Sequence, residues 1–131
     1  MPRVVLDTNV LISAALTSSG KSRKILRMAF RGTLAVFYTF DILSEYADVF
    51  ARPKFKLISE SGAGLLKDIA TIGNIVVPEA STVALPDERD RPFYDAAICA
   101  KATLITGNLK HYPKEYFIVS PSEFLVSLGV D

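Results

Sequence analysis

The chain has 131 residues, half of them hydrophobic, enough to bury one core and too few for two, so a single domain over residues 1–131 is expected. Fifteen Lys and Arg against fourteen Asp and Glu leave a net charge of +1, which excludes a global field that draws in polyanions and makes any nucleic-acid contact local. One cysteine, Cys99, excludes an internal disulfide framework and a multi-Cys zinc site, and the first apolar run is broken by Asp7 too early for a signal-peptide core or a membrane span. A reducing cytoplasm and no membrane are the matching expectations.

Val4-Val5-Leu6 is an aliphatic run without polar alternation, the pattern of a central parallel strand buried on both faces. Asp7-Thr8-Asn9 ends it, Val10 to Leu16 reads as a short helix, and Ser18-Ser19-Gly20 as a turn. Lys21 to Arg31 is predicted to be a second helix with Ile25, Leu26, Ala29 and Phe30 on one apolar stripe, closed by Gly32. Leu34 to Tyr38 is the second strand. Phe40 to Ala51 is a helix carrying Ile42, Leu43, Tyr46, Val49 and Phe50 inward, stopped by Arg52-Pro53. Ser59 to Ile72 is helical despite Gly62 and Gly64, Ile75-Val76-Val77 is a third strand ended by Pro78, and a polar loop runs from Glu79 to Arg91. Pro92 opens a helix to about Lys101, followed by strand Thr103-Leu104-Ile105, the turn Thr106-Gly107-Asn108, strand Phe117-Ile118-Val119 and a C-terminal helix opened by Pro121. Strands alternating with helices imply a parallel five-stranded sheet covered on both faces and joined by right-handed crossovers.

Ligands of open parallel sheets bind outside the carboxyl ends of the strands, so polar residues placed directly after a strand are functional candidates. Asp7 is one, with capping of the following helix as its alternative role. Thr8 and Asn9 adjoin it. On the helix after the second strand, Ile42 and Val49 lie three and four residues from Glu45, which places Glu45 at the border of the apolar stripe while Asp41 and Asp48 fall on the polar side, with a solvated surface position as its alternative. Asp95 stands among Phe93, Tyr94, Ala96, Ala97, Ile98, Cys99 and Ala100, so its carboxylate is expected to be at least partly buried and therefore hydrogen-bonded, paired, metal-bound or neutralised. Satisfying the N–H groups of the first helical turn is the alternative for Asp95, and capping the same helix is the alternative for Asp90. Asp87 and Glu88 read as solvated loop residues. Acids from separate segments converging on one sheet edge repel one another, and a hard divalent cation relieves that repulsion and supports hydrolysis. No Gly-rich phosphate loop, Ser-His-Asp set or Cys/His cluster competes, and the single histidine, His111, has no partner motif.

With those residues in view the chain resembles a PIN domain over nearly its whole length, in the group regarded as toxins of bacterial and archaeal toxin–antitoxin systems. The resemblance rests on Val4-Val5-Leu6-Asp7-Thr8-Asn9-Val10, on Ile42-Leu43-Ser44-Glu45 leading to Val49-Phe50-Ala51-Arg52-Pro53-Lys54-Phe55, on Asp90-Arg91-Pro92-Phe93, and on Leu104-Ile105-Thr106-Gly107-Asn108, in this order and spacing. It implies a Rossmann-like three-layer α/β/α sandwich with a central, mainly parallel sheet, and a metal-dependent endoribonuclease that uses Mg²⁺ or Mn²⁺. By the same resemblance the catalytic acids are Asp7, Glu45, Asp90 and Asp95, with Asp7, Asp90 and Asp95 as metal ligands, the Thr8 and Thr106 hydroxyls orienting carboxylates, and Asn9 and Asn108 in support. The implied chemistry is in-line attack of water on phosphorus, with Glu45 or Asp95 taking a proton or orienting that water. Arg52, Lys54 and Arg91 are expected to meet the RNA backbone, with Arg23, Lys24, Arg27, Arg31, Lys56 and Arg89 as further cations; an ordinary solvated helix or loop face is the alternative for each cluster, and only Arg52 and Lys54 also belong to the family pattern. A cognate antitoxin and a homodimer are the implied partners. The chain departs from the family at Asn108, where many relatives carry an acid, and at His111, where others place a further Asp. Asn108 is expected within reach of Asp7 and Asp90, offering a neutral oxygen where relatives offer a charge. A catalytically weak or inactive PIN-like module that binds RNA or a protein is the alternative this departure supports. A phosphoacceptor receiver domain shares the acid after strand one and the Thr after strand four, but needs an Asp after the middle strand, where this chain has Thr39-Phe40 and Pro78.

Overall fold

The computed structural model describes residues 1–130. Five strands, β1 (Arg3–Leu6), β2 (Ala35–Tyr38), β3 (Asn74–Ile75), β4 (Thr103–Ile105) and β5 (Ile118–Val119), form one sheet in the order β3-β2-β1-β4-β5 with every pairing parallel. Six helices connect and cover them: α1 (Thr8–Leu16), α2 (Lys21–Phe30), α3 (Phe40–Phe50), α4 (Ser59–Ile72), α5 (Arg91–Ala100) and α6 (Pro121–Ser127). The result is a three-layer α/β/α sandwich.

β1 lies at the centre, paired with β2 on one side and β4 on the other, so Val4, Val5 and Leu6 are all fully buried. That accounts for the absence of polar alternation in the run, since a strand covered on both faces has no solvent side. β3 sits at the sheet edge and is shorter than the expected Ile75-Val77. Asn74 and Ile75 pair with Phe37 and Tyr38, the Val76 N–H donates to Tyr38 O at 2.8 Å, and Val77 turns out to solvent. An edge strand has one neighbour to hold it and frays where the chain must leave for the loop.

α1 starts at Thr8 rather than Val10, because Asp7 caps it from the end of β1. α2 buries Ile25, Leu26 and Ala29 as expected, but Phe30 at its end is exposed and Ser22 is buried instead. Gly32 follows at φ +81, a left-handed conformation that stops the helix. Gly62 is accommodated inside α4 for a packing reason: a Cβ there would stand 2.3 Å from the Phe50 ring, so only glycine lets α4 close on α3. A 3₁₀ turn, Pro53–Ile58, joins these two helices. Among the described residues no helix is long and apolar enough to cross a membrane.

Candidate active site

The chain leaves β1 toward β2 and β3 on one side of the sheet and later returns through β4 and β5 on the other, so the carboxyl ends of β1 and β4 flank a switch point of the topology, where open α/β sheets hold their ligands. Asp7 follows β1 there and Thr106 follows β4. The Asp7 N–H donates to Ile105 O at 3.0 Å, which fixes the two strand ends together.

Asp7 takes the capping role considered as its alternative, and it does so at the switch point itself. One carboxylate oxygen, Oδ1, accepts the Thr8 N–H at 2.7 Å as the cap of α1. The other, Oδ2, accepts the Thr106 hydroxyl at 2.8 Å and the Tyr112 hydroxyl at 2.9 Å. Only 6% of the residue is exposed. Burial raises the Asp7 pKa above the usual carboxylate range, and the bonds from Thr106, Tyr112 and Thr8 offset part of that rise. Thr106 is wholly buried, and its oxygen also accepts the Asn108 N–H at 3.0 Å and the Asn9 amide at 3.4 Å. Asn9 in turn accepts the Gly107 N–H at 2.8 Å, tying the first turn of α1 to the loop after β4.

Glu45 reaches the same place from α3. Tyr46, fully buried, donates its hydroxyl to Leu6 O and so pins α3 against the end of β1, which turns its neighbour Glu45 toward Asp7. The Thr8 hydroxyl donates to Glu45 Oε2. Burial raises the Glu45 pKa, against the pull of the Thr8 bond, and the Asp7 charge raises it further.

Asp90 stands at the N-cap of α5 yet makes no capping hydrogen bond. Its Oδ2 is buried without a hydrogen-bond partner, with His111 Nδ1 at 3.5 Å. Burial, then the charges of Asp7 and Asp87, push its carboxyl up to about 6. Three acids from β1, α3 and the start of α5 thus share one open cavity of about 300 Å³, lined also by Thr8, Asn9, Asp87 and His111, with Arg52, Lys54 and Arg89 among its walls. Arg89 is engaged by Asp87, its Nη2 2.8 Å from Oδ2.

Of the expected site residues, Asp95, Arg91, Thr106 and Asn108 do not line this cavity. Asp95 is buried but does not line this cavity: its Oδ2 accepts the Ser81 N–H at 3.2 Å, and its Oδ1, without a hydrogen-bond partner, lies 3.9 Å from Arg91. Arg91 does not line it either. Its guanidinium donates to Glu88 Oε1 and Oε2, to Ser81 O and Oγ, and to Val83 O, at 2.6–2.9 Å, so both residues moor the loop that delivers Asp87 to Asp90. Asn108 touches neither Asp7 nor Asp90 directly; it reaches them through Thr106 and through His111, whose Nε2 lies 2.9 Å from its amide nitrogen. Tyr112 escaped the sequence reading, because nothing in the run His111-Tyr112-Pro113 announces a phenol that returns under β1. Burial and the Asp7 charge raise its pKa far above the ordinary value, so it serves as a fixed donor.

Among the described residues no three His, Cys, Asp or Glu side chains are gathered tightly enough to cage a metal by themselves. The donor set nevertheless fits a hard cation that keeps part of its water shell: carboxylate oxygens from three segments, one of them buried and unpartnered.

The chain is 30% identical to the uncharacterized protein MJ1680 of Methanocaldococcus jannaschii over 109 residues, covering 81% of this chain and 70% of that protein. The fold is similar to VapBC2 from Rickettsia felis, solved bound to a DNA fragment from its promoter, with a TM-score of 0.59, 16% identity, and coverage of 90% of this chain and 96% of that one. It is also similar to PAE2754 from Pyrobaculum aerophilum, with a TM-score of 0.58, 14% identity, and coverage of 98% and 90%. The sequence model of the PIN domain matches residues 3–110, a stretch that runs from β1 through the loop after β4 and carries Asp7, Glu45 and Asp90, so the chain belongs to the PIN-domain family.

Proposed function

We propose that this protein is a metal-dependent endoribonuclease, the toxin of a toxin–antitoxin pair. Family membership supports a nuclease, and the observation that carries the reading to this chain is Asp90 Oδ2, a buried carboxylate oxygen left without a hydrogen-bond donor in a cavity it shares with Asp7 and Glu45. An unsatisfied buried acceptor is costly unless a ligand completes it. Asp7 and Asp90 would hold Mg²⁺ or Mn²⁺ with retained water. Such a cation supplies charge neutralisation for a phosphodiester and acidifies water at neutral pH. Arg52 and Lys54, on the cavity wall, bind the substrate phosphates. Glu45, oriented by Thr8 and with its pKa raised by burial, accepts the proton of the attacking water. Asp7 is held by three donors, which pre-orients its carboxylate for a cation.

The antitoxin reading rests on the fold it shares with VapBC2. A homodimer is supported by large apolar side chains left in solvent, among them Tyr116 at 96% exposure and Val126 at 73%. The test of the activity is incubation of the purified protein with a pool of RNAs in Mg²⁺, in Mn²⁺ and in EDTA. Internal cleavage with either metal and none in EDTA is expected. Cleavage that persists in EDTA overturns the metal mechanism, and no cleavage in any condition favours the binding-module reading that the replacement of acids by Asn108 and His111 supports.

A further inference from the structure

The structure puts His111 on the cavity wall. Its Nδ1 faces Asp90 Oδ2 at 3.5 Å, and that oxygen is the one without a hydrogen-bond partner. Its Nε2 lies 2.9 Å from the Asn108 side-chain amide. Asn108 is itself held, its backbone N–H donating to Thr106, the residue that grips Asp7.

Resting on the metal reading above, we propose that His111 is a nitrogen ligand to the cation of this cavity, through Nδ1, and that it biases the site away from Mg²⁺ toward first-row transition cations such as Mn²⁺. Two donors each about 2.1 Å from one cation stand about 3.0 Å apart at a right angle and about 3.4 Å apart at the tetrahedral angle, so Asp90 and His111 can close on a shared ion by shifting a few tenths of an ångström. Asn108 supplies the orienting partner that ligating histidines need. Turned so that its amide oxygen accepts the Nε2 proton, it leaves the Nδ1 lone pair directed at Asp90 and the ion. Mg²⁺ takes oxygen ligands, whereas transition cations accept imidazole nitrogen, so an Asn-oriented histidine beside Asp90 gives the cavity a metal preference that carboxylates alone do not.

The chain has one histidine, so an imidazole nitrogen coupled to a bound paramagnetic ion can come from His111 alone. The experiment is pulsed electron paramagnetic resonance of the full chain, free of any histidine tag, loaded with Mn²⁺, together with calorimetric titration of Mn²⁺ and Mg²⁺ into wild type, His111→Ala and Asn108→Ala. Imidazole ¹⁴N modulation is expected in wild type and absent in His111→Ala, with Mn²⁺ affinity reduced about tenfold or more in both variants and Mg²⁺ affinity changed much less. The wild-type spectrum does not depend on any variant folding. Mn²⁺ bound to wild type without ¹⁴N modulation, at an affinity His111→Ala retains, overturns the ligand assignment and leaves the metal site of Asp7 and Asp90 standing. Absence of any Mn²⁺ binding to wild type overturns both.

Discussion

Replacing Asp90 by Asn should stabilise the metal-free protein at neutral pH. The Asp90 carboxyl, at 14% side-chain exposure, rises from 3.8 to about 6 through burial and then through the charges of Asp7 and Asp87. At 1.36 kcal/mol per pH unit that corresponds to about 3 kcal/mol, and solvent screening at an open cavity reduces it to about 1–2 kcal/mol. Below pH 3.8 the carboxyl is neutral in the folded and the unfolded chain, and no penalty exists. Between 3.8 and about 6 the unfolded chain ionises while the folded one holds its proton, so stability falls as pH rises; above about 6 the whole penalty is present. Asp90→Asn removes the charge at nearly constant volume, so in EDTA at pH 8 it should melt roughly 3–10 °C above wild type, and the difference should vanish near pH 4. Melting curves by circular dichroism in EDTA from pH 4 to pH 8 measure this. With saturating Mn²⁺ the order reverses, because wild type gains binding energy that the Asn variant forfeits. An Asn variant less stable than wild type at pH 8 in EDTA, or a difference that does not change with pH, would refute the claim that Asp90 is a strained acid awaiting a cation.

Three further outcomes are expected. Thr106→Val keeps the shape of a wholly buried residue but removes the hydroxyl that holds Asp7, so it should cost about 1–3 kcal/mol in urea denaturation and lower divalent-metal affinity about 10–100-fold by calorimetry. Arg91→Lys cannot reproduce the guanidinium fork on Glu88, Ser81 and Val83, so the loop over residues 79–87 should become sensitive to limited proteolysis while the melting temperature changes little. Light scattering should report a dimer at micromolar concentration, and a monomer up to the millimolar range would count against self-association through exposed apolar side chains such as Tyr116 and Val126.

Much of the fold was legible because its signals are local. The unbroken apolar run of β1, the stripe of α3 and Pro at the first turns of α5 and α6 each follow from one segment, and β1 could be placed at the sheet centre from its composition alone. The edge was harder: Val76 and Val77 look like strand residues, but only a second neighbour would have kept them in the sheet. Within the site, residues directly after a strand, Asp7 and Thr106, could be anticipated from topology, and Glu45 from its place beside the stripe. Asp95 and Arg91 could not be placed from sequence, because an acid in an apolar helix and an arginine near the acids read the same whether they line the cavity or moor a loop. Ser81, the residue both of them hold, lies fourteen and ten positions away in a segment with no regular structure. Tyr112 is invisible for the same reason: its partner is 105 residues distant.

The most direct test of the account is RNA cleavage by Asp7→Asn against wild type in Mn²⁺, at matched concentrations of folded protein verified by circular dichroism. The exchange preserves volume and the capping position while removing a charge from the centre of the cavity, so the account predicts an intact fold and a rate reduced roughly 10²-fold or more. Equal cleavage by the two proteins would contradict it, since the acid that Thr8, Thr106 and Tyr112 converge upon would then have no part in the chemistry.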